Sequence, residues 1–173
     1  MAQVPERLTR AVEALDVQPE DRILEIGCGR GVAAALICSC LRGGHLVAFD
    51  RSATAVAAAV ARAADCVAAG TAEFRTGALE DTDPATLGSF DKVLAVNVNL
   101  FWVRPAPVEL GLVTELLRPH GRLHLVYEPP GPDRVVHLRQ RLLTNLEQAG
   151  FTTETVSRPS LLSVTARVHS CPA

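Results

Sequence analysis

The chain is 173 residues long, about the length of one domain, and 48% of its residues are apolar, which excludes an intrinsically disordered chain. Its 12 glycines and 11 prolines follow no triplet period, which excludes a fibrous protein of the collagen type. The formal net charge of −2 includes no basic excess, so a nucleic-acid partner is not expected.

The first predicted element is a helix over Glu6–Leu15. Its apolar residues Leu8, Ala11, Val12 and Leu15 recur at helical spacing and therefore share one face. We expect this helix, within an N-terminal stretch of residues 1–16, to pack on the core of a single domain that spans residues 1–173.

Strands and helices alternate from Arg22 onward. The patterns predict strands at Arg22–Ile26, His45–Phe49, Ala72–Arg75, Asp91–Val96 and Arg122–Tyr127. They predict helices at Val32–Leu41, from the N-cap candidate Ser52 to about Cys66, at Pro107–Leu117 and at Pro132–Ala149. This alternation is typical of right-handed βαβ units, with a parallel sheet covered by helices on both faces.

Two further strands end the chain, at about Thr152–Ser157 and Leu162–Val168. Only Arg158-Pro159-Ser160-Leu161 separates them, which is too short for a parallel crossover. The pair is therefore expected to form an antiparallel hairpin. The prediction is an α/β fold with a seven-stranded mixed sheet, mostly parallel, that carries an antiparallel terminal hairpin strand.

Membrane, export and metal signals are missing from the sequence. The longest apolar runs, Val32–Cys38 and Ala53–Ala61, fall short of the roughly 18–20 residues of a membrane-spanning helix. Residues 1–10 lack the apolar core of a signal peptide. The cysteines are odd in number and match neither a disulfide framework nor a zinc motif: Cys28, Cys38, Cys40, Cys66 and Cys171. We therefore expect a cytoplasmic protein without a metal site.

A glycine-rich turn follows the first strand, and it reads Glu25-Ile26-Gly27-Cys28-Gly29-Arg30-Gly31. A dinucleotide-binding turn has its third glycine at the sixth position, which is Val32 here. The acid two positions before Gly27 favours a ligand with a positive group. Asp50 ends the second strand 19 residues after Gly31, where a carboxylate that binds ribose is expected.

With these residues the chain resembles the class I S-adenosylmethionine-dependent methyltransferases. Their Rossmann-like fold begins with an acid, a spacer and G-x-G-x-G, and it ends with a reversed hairpin. The resemblance covers about Val17–Val168. It implies S-adenosylmethionine as cofactor and S-adenosylhomocysteine as product. The cofactor-binding residues that it implies are Glu25, Gly27, Cys28, Gly29, Gly31, Asp50, Arg51, Ala78, Leu79 and Asn97.

One of these positions departs from the family pattern. Ala78 stands where an aspartate is common, so a side-chain contact to adenine would have to come from Glu80, while the Leu79 amide keeps its backbone contact. Simpler explanations stay open for others. The glycines could serve only packing, Glu25 could bind nearby backbone amides, and Asp50 could cap the next helix.

The acceptor is expected at the carboxyl ends of the strands, near the crevice between the first strand and the fourth strand. That rim includes Asn97, Asn99, Phe101, Trp102, Glu128 and His137. The family has no universal catalytic residue, so Asn97, Trp102 and Glu128 are candidates only. Phe101 and Trp102 could equally be core residues, and His137 could be an ordinary surface residue of the predicted helix.

The sequence favours a small-molecule acceptor, methylated on O, N, S or C. The segment after strand four, Asn97-Val98-Asn99-Leu100, lacks the D/N-P-P-aromatic motif of enzymes that methylate adenine or glutamine amides. We expect a monomer or homodimer. Two alternatives stay open: a non-catalytic module that binds S-adenosylmethionine, and an NAD(P)-dependent oxidoreductase, which Val32 and the closing hairpin disfavour.

Overall fold

A computed structural model describes residues 4–158 and 161–169. Cys171 and the centre of the predicted hairpin turn, Pro159-Ser160, lie outside the described residues, as do the first three residues of the expected domain. The helices are α1 Glu6–Leu15, α2 Val32–Cys40, α3 Ala53–Arg62, α4 Ala64–Ala68, α5 Pro84–Leu87, α6 Leu100–Val103, α7 Pro107–Leu116 and α8 Pro132–Gln148. The strands are β1 Arg22–Ile26, β2 His45–Asp50, β3 Ala72–Thr76, β4 Phe90–Val96, β5 Leu117–Tyr127, β6 Phe151–Arg158 and β7 Leu161–Val168.

The strands form one seven-stranded sheet in the order β3-β2-β1-β4-β5-β7-β6. Neighbours among β1 to β5 run parallel, whereas β7 is antiparallel to both β5 and β6. The predicted mixed sheet with its reversed hairpin is therefore confirmed. The chain moves outward from β1 to β3 and then returns to place β4 on the other side of β1. This reversal opens a crevice at the carboxyl ends of β1 and β4, which is where ligands bind in sheets of this type.

A buried apolar cluster lies on each face of the sheet. One cluster joins the apolar face of α1, including Leu15, to Ile37 of α2 and Ala59 of α3. The other joins Val113 of α7 to Leu142 of α8. Both faces of the central strands are thus covered, which explains their continuous apolar runs. Within the described part of the chain, no helix has the length and hydrophobicity needed to cross a membrane.

The structure corrects several predicted boundaries. The helix expected to reach Cys66 is interrupted at Ala63, where φ is −105° and ψ is 28°, so α3 and α4 are separate. Its predicted N-cap is present, because the Ser52 hydroxyl accepts a hydrogen bond from the Ala55 N–H at 3.2 Å. β5 begins at Leu117, earlier than the predicted start at Arg122. Leu117 pairs with Phe90 of β4, and the register shifts between Phe90 and Lys92. The four-residue helices α5 and α6 were not predicted, because one helical turn is too short to show a period.

Candidate functional site

The turn after β1 is tied to β2 by its backbone. The N–H groups of Gly27 and Cys28 both donate to the Phe49 carbonyl, at 2.8 and 2.9 Å. A Cβ on Gly31 would lie 2.7 Å from the Ala59 Cα, so this glycine allows α2 to pack against α3. A Cβ on Gly29, in contrast, would meet no heavy atom within 4 Å. The packing explanation therefore applies to Gly31, while Gly29 leaves open space in the turn.

Asp50 links the end of β2 to the same turn. Its Oδ2 accepts a hydrogen bond from the Gly29 N–H at 2.8 Å, and its Oδ1 accepts one from the Ser52 N–H at 2.9 Å. The cap of α3 is Ser52, so the proposal that Asp50 caps this helix is wrong. A carboxylate offers about four lone-pair sites, so Asp50 retains acceptor capacity for ligand hydroxyls.

Glu25 is a buried carboxyl group without a counter-charge. It is 3% exposed, and no hydrogen bond between described residues reaches its Oε2. Burial, with a smaller contribution from the negative charge of Asp50, raises its pKa from 4.5 to about 8. No backbone amide of the described residues reaches Oε2, which speaks against the alternative in which Glu25 binds nearby backbone amides. A buried acid in this condition is costly unless a ligand pairs with it, and it fits a group that carries positive charge.

A cavity of about 560 Å³ opens beside these residues, within the size range of ligand sites. It is lined by Ile26, Gly27, Phe49, Asp50, Arg51, Gly77, Ala78, Leu79, Glu80, Val98, Asn99, Leu100, Val103 and Arg104. We call it the first cavity. Five of the expected cofactor residues line it: Gly27, Asp50, Arg51, Ala78 and Leu79. Cys28, Gly29 and Gly31 belong to the adjoining turn instead, and Glu25 lies in β1.

Arg51 and Glu80 form an ion pair at the first cavity, with 2.6 Å between Nη2 and Oε1. The sequence placed Arg51 at the cofactor and Glu80 near its adenine but did not predict their pairing. The pair joins the loop after β2 to the loop after β3. Arg51 thus orients Glu80, which lies two residues after Ala78, the position where the family commonly has an aspartate.

A second cavity, of about 410 Å³, lies at the carboxyl ends of β4 and β5. Its lining comprises Asn97, Asn99, Trp102, Tyr127, Glu128, Pro129, Pro130, Arg134, His137 and Leu138. Asn99 also lines the first cavity, so the segment of residues 97–104 separates two adjoining spaces. Five of the six predicted rim residues line this second cavity. Phe101 does not, because it is 0% exposed and belongs to the core.

The separating segment 97–104 is held from two sides. The Tyr127 hydroxyl, on a side chain that is 2% exposed, donates to the Val98 carbonyl at 2.7 Å. The Asn145 amide of α8 donates to the carbonyls of Phe101 and Arg104, both at 3.0 Å. Sequence reasoning missed both residues. The available signal for Asn145 was its position three residues after Leu142, on the edge of the apolar face of α8.

Asn97 connects the ends of β4 and β5. Its φ is 56°, a left-handed conformation that asparagine tolerates better than most residues. Its N–H donates to the Val126 carbonyl at 2.8 Å, and its Oδ1 accepts from the Glu128 N–H at 2.9 Å. The expected cofactor residue Asn97 thus lines the second cavity and not the first.

Glu128 is held by the N-terminal helix. Arg7 of α1 reaches the rim of the second cavity and places its Nη1 3.0 Å from the Glu128 Oε2. Both side chains are partly exposed, so the pair adds little to stability. Its effect is local, because the guanidinium balances the negative charge of the one carboxylate among the described residues that line this cavity. No contact of α1 with this rim was predicted from the sequence.

Comparisons with known proteins agree with this geometry. Residues 23–121 match the model of a family described as methyltransferase domain. The fold is similar to that of the precorrin-6Y C5,15-methyltransferase of Geobacter metallireducens, at 14% identity and a TM-score of 0.73, covering 97% of this chain and 92% of that one. An S-adenosylmethionine-dependent methyltransferase of Aquifex aeolicus has a TM-score of 0.74 at 15% identity, covering 92% and 88%.

A magnesium protoporphyrin IX methyltransferase of Synechocystis PCC 6803, solved with bound S-adenosylhomocysteine, has a TM-score of 0.68 at 19% identity, covering 92% of this chain and 80% of that one. At these identities the likeness to the solved structures establishes the fold alone. No curated protein matches the sequence.

Proposed function

Since the chain belongs to the class I S-adenosylmethionine-dependent methyltransferases, with S-adenosylmethionine as cofactor and S-adenosylhomocysteine as product, we propose that it methylates a small molecule bound in the second cavity. One observation carries the proposal: Asn99 lines both cavities, so a cofactor in the first and an acceptor in the second would adjoin. The volume of the second cavity suits a small acceptor. The family match speaks against the NAD(P)-dependent oxidoreductase, and the methyl-transfer measurement below distinguishes an enzyme from a non-catalytic module.

The residues at the first cavity fit the cofactor. S-adenosylmethionine, when bound, supplies a methyl group that its sulfonium has already activated, so the chain contributes orientation and charge. In this proposal the Asp50 carboxylate accepts the ribose hydroxyls with its remaining lone pairs. Glu25 supplies the negative charge that a cationic ligand requires in a buried site. Gly27, Ala78 and Leu79 bring backbone close to the ligand, and Arg51 with Glu80 borders the adenine position.

The acceptor side contains no unengaged carboxylate among the described lining residues. Glu128, the one acid there, is paired with Arg7. We therefore assign Glu128, Asn97 and Trp102 to positioning of the acceptor and assign no general base. A base is needed only where the acceptor must lose a proton before attack. Asn97, expected at the cofactor, belongs in this proposal to the acceptor side.

Two measurements test the proposal. Calorimetry should detect binding of S-adenosylmethionine and S-adenosylhomocysteine and no binding of NAD. The protein is then incubated with methyl-labelled S-adenosylmethionine and a cell extract, which is passed through a filter that retains macromolecules. Label in a methylated small molecule of the filtrate supports the proposal. Label confined to retained protein or nucleic acid contradicts it.

A further inference from the structure

We propose, on the basis of the function proposed above, that the acceptor is a flat organic carboxylate, held at the second cavity by Arg134 and by the side-chain amides of Asn97 and Asn99. Neither the family nor the fold specifies the chemistry of the acceptor. The hydrogen-bonding groups of the second cavity that are not yet engaged, and the balance of its charges, favour a carboxylate.

The two asparagines present donors to the cavity. The Asn97 Oδ1 accepts from the Glu128 N–H at 2.9 Å, and the Asn99 Oδ1 accepts from the Trp102 Nε1–H at 3.3 Å. Both partners are obligatory donors, so they fix which end of each amide is oxygen. No hydrogen bond between described residues uses the Nδ2 of either asparagine. Each amide therefore has its acceptor engaged and its two N–H donors available to a ligand.

Among the described lining residues the balance of charge is positive once the ion pairs are considered. These residues include one carboxylate, Glu128, and one guanidinium, Arg134. Arg7, which is outside the lining, balances Glu128. No ion pair between described residues involves Arg134, which is exposed near the start of α8. A ligand with a carboxylate would satisfy this guanidinium and both amides, since a carboxylate accepts several hydrogen bonds and suits the planar donors of arginine.

Apart from the imidazole of His137, the remaining lining is apolar and rigid. Trp102, Pro129, Pro130 and Leu138 provide it, together with the ring of Tyr127. An indole and two prolines present flat surfaces that lose little conformational entropy when a ligand packs on them. A ligand with a flat apolar body and one carboxylate matches this combination of apolar surface and hydrogen-bond donors. A cationic acceptor would meet only a neutralised acid, and a neutral acceptor would gain no charge-assisted hydrogen bond from the guanidinium.

The test compares three acids, benzoate, 2-naphthoate and indole-3-carboxylate, with their primary amides. Binding of each is measured by calorimetry in the presence of saturating S-adenosylhomocysteine. We expect the acids to bind about tenfold or more tightly than the amides, because hydrogen bonds to ionised groups are stronger. Arg134→Gln should reduce this preference to less than about threefold. The matched control Arg139→Gln changes an exposed arginine of α8 outside the lining and should keep the preference.

Location is tested with the chain's only tryptophan, Trp102, whose emission benzoate should quench. The proposal is overturned if the amides bind as tightly as the acids, if Arg134→Gln keeps the full preference, or if benzoate binds without quenching. It is also overturned if no acid binds while S-adenosylhomocysteine does. Failure of S-adenosylhomocysteine itself to bind would instead remove the proposed function, so the two failures are distinguishable.

Discussion

Asp50 accepts a hydrogen bond from the Gly29 N–H at 2.8 Å, which joins the end of β2 to the glycine turn after β1. These two parts of the sequence carried the sequence-based identification of the cofactor site, and the structure shows that they are in direct contact. Because Oδ1 also accepts from the Ser52 N–H, Asp50 organises two loops at the mouth of the first cavity. Asp50 therefore has a structural role in addition to the ligand-binding role expected of it.

Replacement of Asp50 should lower both stability and cofactor affinity. Asp50→Ala removes two hydrogen bonds within the protein, each worth about 1 kcal/mol. It also removes the charge-assisted contacts proposed for ribose, so the affinity for S-adenosylhomocysteine should fall by roughly ten- to a few-hundred-fold. Asp50→Asn should lose less of each, since the amide oxygen still accepts. Melting temperature and calorimetry measure the two effects.

Ser52→Ala is the matched control for Asp50. It removes the cap of α3 at a cost of about 1 kcal/mol and should leave affinity within about threefold. An Asp50→Ala protein that melts earlier but binds S-adenosylhomocysteine within about threefold of the parent would show that Asp50 does not hold the ribose.

Two glycines of the same turn should respond differently to valine. Gly29→Val places its side chain in open space but at a φ of 53°, so the domain should still fold at a cost of about 1–2 kcal/mol from the left-handed backbone. Cofactor binding should be abolished, because the side chain occupies the space where a ligand approaches the backbone. Gly31→Val would force atoms into Ala59 of α3 and should destabilise the fold by several kcal/mol, from overpacking and from a left-handed φ. Circular dichroism and calorimetry on both variants separate the roles. Loss of the fold in Gly29→Val without ligand would show that Gly29 is required by the backbone of the turn and not specifically by the cofactor.

Asn145 should control the segment that separates the two cavities. Asn145→Ala removes its hydrogen bonds to the carbonyls of Phe101 and Arg104, so the unfolding free energy should fall by about 1–3 kcal/mol. Because that segment lines both cavities, the KM for the acceptor should also rise. Thr144→Ala is the control, since its hydroxyl bonds only within α8. Equal effects of the two variants on KM would show that Asn145 acts merely through helix stability.

The sequence allowed prediction of those features that leave a local pattern. Alternating strands and helices predicted the parallel part of the sheet, and the short connection after Arg158 predicted the hairpin that β6 and β7 form. Contacts between distant residues leave no such pattern. Arg7 and Glu128 are 121 residues apart, and Asn145 lies about 40 residues from the carbonyls that it binds. Neither contact can be predicted from the periodicity of the sequence, because each depends on how the folded helices and strands pack against one another.

The same limit applies to the site. The acid, the three glycines and Asp50 could be identified because they occupy fixed spacings around one turn. For the second cavity, the sequence indicated only the edge of the sheet at which it lies. Phe101 was wrongly placed at its rim. An aromatic residue after a strand fits a pocket wall and a core position equally well, and only the direction of α6 distinguishes the two.

Glu25 should make the stability of the ligand-free protein depend on pH. Its pKa is raised from 4.5 to about 8, so between these values the folded chain binds a proton that the unfolded chain releases. The contribution to stability is therefore fully present below about pH 4.5 and is lost progressively as pH rises to about 8. Glu25→Gln mimics the protonated acid and cannot ionise. It should melt at a similar temperature to the parent near about pH 5 and at a higher temperature near about pH 9.

Cofactor affinity should depend on pH in the opposite direction to stability, because a cationic cofactor favours the ionised form of Glu25. A cationic ligand favours the ionised carboxyl, which becomes populated in the ligand-free protein as pH rises toward about 8. The affinity of the parent for S-adenosylmethionine, divided by that of Glu25→Gln, should therefore increase between about pH 6 and about pH 9. Titration of the ligand itself cancels in this ratio, because both proteins meet the same ligand. A ratio that stays constant with pH would show that Glu25 is not the group that pairs with the cation, even where the melting temperatures shift as expected of a buried carboxyl.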